Sequence, residues 1–88
     1  MGSYSLAPRA ENDLQRIYTF GLDRFGEQQA DAYLSSLLDQ FDLIAREPLL
    51  YPIDHYDFAY RKCVYQSNVI YYRESGDHVQ IMAVLGQQ

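Results

Sequence analysis

Between Arg24 and Tyr33 the chain reads RFGEQQADAY, and this stretch decides the fold. Small and apolar residues approach it in three- and four-residue steps: Ala10, Leu14, Ile17, Tyr18, Gly21 and Phe25. A second series leaves it: Ala30, Tyr33, Leu34, Leu37, Leu38, Phe41, Ile44 and Ala45. That spacing lines one face of an α-helix. Gly26, between the two series, tolerates the left-handed backbone that commonly closes a helix. Two amphipathic helices joined by so short a connection predict an antiparallel hairpin. The first helix starts at Pro8, whose missing N–H would be unpaired in a first turn anyway. Arg9, Glu11, Asp13, Arg16 and Asp23 fall off its apolar stripe and are expected in water. The second runs about 20 residues, roughly 30 Å, until Pro48 halts it.

Outward from the hairpin the period changes. Leu49 to Phe58, with Pro52, Asp54, His55 and Asp57, reads as a loop. Ala59–Tyr65, Val69–Arg73 and Val79–Leu85 then alternate and are rich in Val, Ile and Tyr, as strands are. Gln66-Ser67-Asn68 and Ser75-Gly76-Asp77 supply the turns. Upstream, Tyr4-Ser5-Leu6 alternates as a short strand whose partner periodicity does not assign. The expected fold is α+β: a short N-terminal strand, then an antiparallel helical hairpin packed on a three-stranded antiparallel sheet.

With 88 residues the chain has room for one domain, spanning 1–88. It is 48% hydrophobic and 22% charged, the profile of an ordinary globular domain and not of a disordered one. No apolar run approaches the ~20 residues of a membrane span, and no basic start followed by an apolar stretch marks a secretory leader. A single cysteine, Cys63, makes no internal disulfide and fits a reducing, cytoplasmic setting. Seven basic against twelve acidic residues give a net charge of −5, with three basic and seven acidic in residues 1–44 and four and five in 45–88. Such a surface repels a phosphate backbone. A domain this small buries only about 60–65% of its unfolded surface, so a partner that covers apolar area is expected to stabilise it.

Catalytic spacings are missing. Gly21 and Gly26 lie in or at the end of a helix, where a phosphate-cradling loop would need a strand before them. Zinc calls for four Cys or His ligands, and the chain holds Cys63, His55 and His78. Asp54, His55 and Asp57 are ordinary loop residues before they are metal ligands, so neither a metal nor a cofactor is expected. Cys63 sits at an alternating strand position, where a small buried hydrophobe is the usual role. Six of the nine tyrosines follow position 50. Beside Arg61, Lys62 and Arg73 they suit base stacking, but packing with the hydroxyl toward water is the commoner use of tyrosine in strands. Alternation puts Arg61 and Cys63 on one face of their strand and Tyr60, Lys62 and Val64 on the other, which places Arg61 near the rim of the sheet.

The order of elements and several strings resemble the ParE/RelE superfamily of bacterial toxin–antitoxin systems. Tyr4-Ser5-Leu6-Ala7-Pro8 through Asp13-Leu14 is similar to the family's opening. Phe25-Gly26-Glu27-Gln28-Gln29-Ala30-Asp31-Ala32-Tyr33 is similar to its helix–helix joint, and Ala45-Arg46-Glu47-Pro48 to its helix end. Tyr71-Tyr72-Arg73 and Val79–Leu85 resemble its last two strands. Members that cleave messenger RNA on the ribosome usually carry an arginine where this chain has Val69; without it, phosphodiester cleavage lacks a charge stabilisation of several kcal/mol. The joint also resembles the ParE branch. The resemblance therefore implies a non-enzymatic toxin that binds DNA gyrase and traps its cleaved-DNA complex, with no catalytic residue. It also implies a cognate antitoxin, ParD-like with a ribbon–helix–helix DNA-binding part, that neutralises the toxin.

Expected target contacts are Arg61, Lys62, Arg73, Tyr72 and Leu85. An apolar groove between the hairpin and the sheet suits an amphipathic antitoxin helix, with Tyr18, Tyr33 and Leu37 as candidate lining. No direct sequence-specific nucleic-acid binding is expected. The chain departs from the family at Ala7, where the usual Ser would add a side-chain cap worth about 1 kcal/mol, and at Ala83 and the uncharged Gly86-Gln87-Gln88 end. Two alternatives stay open: a ribosome-dependent endoribonuclease that rebuilds a phosphate site from Arg61, Lys62 and Arg73, and a non-toxic domain that keeps only antitoxin binding.

Overall fold

A single residue turns the chain back on itself. In the computed structural model, which describes residues 2–86, α1 spans Pro8–Phe25 and α2 spans Glu27–Arg46. Gly26 between them has φ +91°, a region L side chains rarely enter. Its N–H donates to Leu22 O at 3.2 Å and its carbonyl accepts Ala30 N–H at 3.0 Å, so one residue serves both helix ends. The helices approach closely at Gly21, where an added Cβ would stand 3.2 Å from that of Ala30. As the sequence implied, Ala7 gives α1 no side-chain cap.

The sheet has four strands where three were expected. β1 is Ser3–Leu6, β2 is Arg61–Tyr65, β3 is Asn68–Ser75 and β4 is His78–Gly86, in the order β1-β4-β3-β2. β2–β3–β4 is the expected antiparallel meander. β1 adds to it parallel to β4, from Ser3↔His78 to Leu6↔Ile81. The helical hairpin supplies the long crossover that a parallel pair requires. At the start of the pair, Ser3 Oγ and Ser5 Oγ bond the two ring nitrogens of His78 at 2.9 and 2.8 Å.

Strand bounds differ from the periodicity for local reasons. Asp57 captures Ala59 N–H on its side chain and Tyr60 N–H on its carbonyl, so β2 starts at Arg61 and not at Ala59. Asn68 belongs to β3, which leaves Gln66-Ser67 as a two-residue turn with Gln66 at φ 52°. Gly76-Asp77 is the matching turn between β3 and β4. Tyr71 faces Ala83 while Tyr72 faces Ile81, so Met82 is the extra residue of a bulge.

The helices cover one sheet face. Leu37, Phe41 and Ile44 of α2 and Ala10 and Leu14 of α1 close over Cys63, Ile70, Tyr72, Val79, Ile81 and Val84. Tyr4 meets Phe41 edge to face at 5.6 Å. Two expectations fail at α1. Phe25, counted in the apolar stripe, is exposed. Asp13, assigned to water, is 2% exposed. β1 ends opposite Ile81, so beyond that point β4 has no strand on its β1 side, and Asp13 Oδ2 accepts Val84 N–H at 2.9 Å in the missing strand's place.

Candidate functional site

Two apolar surfaces lie on opposite sides of the molecule. The first is a cleft of about 440 Å³ between α1, α2 and the β2–β3 turn. Tyr18, Phe20 and Phe25 line it from α1, and Tyr33 and Leu34 from α2. Tyr33 is held rigidly: its hydroxyl donates to Asn68 Oδ1, its ring stacks on Tyr65 at 6.4 Å, and Asn68 Nδ2 donates to Leu85 O at 3.1 Å. Burial pushes the Tyr33 hydroxyl pKa up. Tyr18 donates to Asp31 across the hairpin, and that bond to a carboxylate, before burial, raises its pKa. Phe20 and Phe25 are 55% and 60% exposed, and the Arg24 guanidinium lies 5.1 Å over the Phe20 ring.

Of the expected antitoxin contacts, the structure brings Tyr18 and Tyr33 to this cleft. It removes Leu37, which is fully buried in the core because it faces the sheet from the middle of α2. Phe20 was missed. Its signal was available, since it is a large apolar residue out of phase with the stripe of α1.

The second surface is the sheet face turned away from the helices. Register places Val64, Val69 and Leu85 side by side across three strands, and Lys62, Tyr71 and Ala83 in the next rung. Val64 is 56% exposed. Lys62, Arg73 and Leu85 of the expected target contacts stand here. Arg61 and Tyr72 do not. Arg61 points to the helix side at the edge strand, where Nε sits 3.3 Å from Glu74 Oε1 and Nη1 donates to Tyr51 O at 2.8 Å. It pins the loop after α2 to the sheet, at the rim as expected. Tyr72 is wholly buried and donates to Pro48 O at 2.7 Å; burial carries its pKa up to about 12, against a lowering pull from Arg61.

The arrangement offers contact area and little chemistry. Cys63 is buried beneath Gln40, whose Nε2 lies 3.2 Å from Sγ. Asp54, the acidic loop residue, accepts Asp57 N–H and lies 4.0 Å from Lys62 Nζ. Among the described residues no three His, Cys, Asp or Glu side chains converge as metal ligands do. Among the described residues no helix is long and apolar enough to cross a membrane. Gln87 and Gln88, the end of the uncharged tail, lie outside the described residues.

A two-helix layer on one face of a four-stranded sheet is also the fold of a known solved protein. A chain of the chromosomal ParDE TA system from P. aeruginosa matches 100% of this chain and 97% of its own length with a TM-score of 0.85, at 15% identity. Sequence carries the assignment further. The family model described as ParE toxin of type II toxin-antitoxin system, parDE, matches residues 4–88, and the chain belongs to that family. Toxin ParE1 of Caulobacter vibrioides is 36% identical over 88 residues, covering 99% of this chain and 91% of the relative. Toxin ParE1 of Mycobacterium tuberculosis is 32% identical over 87 residues, with 97% and 89% covered. The protein is thus a ParE-type toxin of a type II toxin–antitoxin system.

Proposed function

We propose that this toxin acts in the cytoplasm without enzymatic turnover: it binds DNA gyrase, stabilises the enzyme's cleaved-DNA complex, and is neutralised by a ParD-like antitoxin. The observation that carries this reading is the Val64–Val69–Leu85 ladder. The nucleases of this superfamily usually carry an arginine where this chain has Val69, and a cation there stabilises the charge of phosphodiester cleavage. Here that rung is aliphatic on all three strands, a surface for occupying a protein and not for breaking a bond. Of the three cations of a rebuilt phosphate site, Arg61 is committed to Glu74 and Tyr51 on the face opposite Lys62 and Arg73, which weighs against the endoribonuclease alternative.

The antitoxin is read as an amphipathic helix seated in the cleft, its apolar face on Tyr33, Phe20 and Phe25. Covering these rings stabilises a small domain by mass action, about 2.7 kcal/mol at a hundredfold excess over Kd. A melting curve taken with and without antitoxin registers it as a rise in Tm; no rise at saturation contradicts the cleft assignment. For the target, purified gyrase is assayed with excess toxin. Loss of supercoiling with accumulation of cleaved DNA is expected, and mapped transcript ends after expression should show no cuts within codons. Unchanged supercoiling refutes the gyrase reading.

A further inference from the structure

The face of the sheet away from the helices has a charge sign that the whole chain does not. The chain carries −5, yet Lys62 of β2 and Arg73 of β3 stand on this face by register, and Arg9 reaches it from the first turn of α1. Two carboxylates meet them, both nearly buried and already bonded to backbone: Asp54, 4.0 Å from Lys62 Nζ, accepts Asp57 N–H at 3.1 Å, and Asp13, 3.6 Å from Arg9 Nε, accepts Val84 N–H. Arg73 Nε donates to the neutral Gln80 Oε1 at 3.1 Å, and among the described residues no carboxylate lies within ion-pair distance of it. Beside the cations the surface is apolar: the Val64–Val69–Leu85 rung adjoins Lys62 on the side away from Arg73, and a hollow of about 490 Å³, reached by Arg9, is bounded by Tyr60, Tyr71 and Met82. A nucleic-acid backbone is met by rows of cations, and this face offers it scattered cations beside an aliphatic rung. A protein segment with a large apolar side chain and flanking carboxylates matches both features.

We propose that this face grips the target protein through an acidic, apolar-anchored segment. Asp or Glu residues of the target sit opposite Lys62 and Arg73, and a large apolar side chain enters the hollow beside Tyr71 and Met82. The inference rests on the gyrase reading above and adds to it a division of labour, since the antitoxin helix takes the cleft on the other side of the sheet.

Three proteins are compared on purified gyrase and on the cognate antitoxin: the wild type, the double variant Lys62→Glu/Arg73→Glu, and the cleft variant Phe20→Asp/Phe25→Asp. All four side chains are surface-placed, and circular dichroism melting checks the fold. The charge-reversed face should need at least about tenfold more toxin to block supercoiling, a loss of the size expected when charge pairs turn repulsive. Its antitoxin affinity should stay within about twofold. The cleft variant should reverse the pattern. Wild-type inhibition that weakens as salt rises, and a flatter salt dependence in the charge-reversed variant, support the proposal. Equal potency of wild type and charge-reversed toxin overturns it while leaving the gyrase reading intact. Parallel loss of gyrase and antitoxin binding in that variant also overturns it. So does retention of a labelled DNA duplex by toxin alone, abolished by the same pair of substitutions. A wild type without effect on gyrase removes the reading and the inference together.

Discussion

Asp13, a carboxylate with the sequence pattern of a surface residue, is one whose loss should be costly to this domain. Its carboxylate is 2% exposed and accepts Val84 N–H at 2.9 Å, where β4 runs past the end of β1. Arg16 Nη1 bonds the other oxygen at 2.9 Å, and Arg9 Nε lies 3.6 Å away. Both arginines are more than half exposed, so each pair contributes at most about 0.5 kcal/mol. The backbone bond is different. Truncating Asp13→Ala leaves a buried N–H without an acceptor, a cost of about 1–3 kcal/mol, and forfeits a charge-assisted bond. The sum is roughly 2–3 kcal/mol, set against a total stability of roughly 4–13 kcal/mol for a chain of this length. Urea denaturation followed by circular dichroism should show a midpoint lowered by about 2 M at a slope near 1 kcal/mol/M. Asp13→Asn keeps an acceptor for Val84 and should cost under about 1 kcal/mol, as should Arg16→Ala. Amide exchange at Val84 should accelerate in Asp13→Ala before that of Ile70. If Asp13→Asn is as damaging as Asp13→Ala, the ion pairs outweigh the strand-edge bond and the reasoning is wrong.

Two further outcomes follow from the same geometry. Tyr72 keeps its proton to about pH 12 in the folded state, against an ordinary value of 10.0. The folded pKa is the higher one, so its contribution is complete below pH 10 and is lost as pH climbs toward 12, about 2–3 kcal/mol in all. Stability measured across that window should fall less steeply in Tyr72→Phe, and equal slopes would exclude Tyr72 as the source. At the hairpin, Gly26→Ala should destabilise by roughly 1–2 kcal/mol from backbone strain alone, because φ is +91° and nothing stands within 4 Å of an added Cβ; an unchanged Tm would show that the joint relaxes.

The candidate surfaces were legible in the sequence to unequal degrees. Lys62, Arg73 and Leu85 share the sheet face turned from the helices, as strand alternation allows, and Tyr18 and Tyr33, both members of the helical stripes, line the cleft. Tyr72 and Leu37 were misplaced as contacts for a related reason: an apolar residue on a stripe is core in the middle of an element and surface near its end, and periodicity does not say which. Arg61 looked like a free cation until the Leu49–Phe58 loop folded back to offer Tyr51 O to it. Phe25 looked like core until α1 was seen to run past the sheet.

What local chemistry determined by itself was the hairpin, the meander and the family. Helical period, a glycine able to take positive φ, and two-residue turns are short-range properties, each settled within a few neighbouring residues. What only the tertiary structure decided was which groups meet across long stretches of chain: β1 beside β4, and Asp13 on Val84 N–H 71 positions away. Those contacts depend on where one strand stops and leaves a backbone donor unpaired. An unpaired donor becomes visible only when the whole sheet is assembled, and it is what draws a carboxylate with the sequence pattern of a surface residue into the interior.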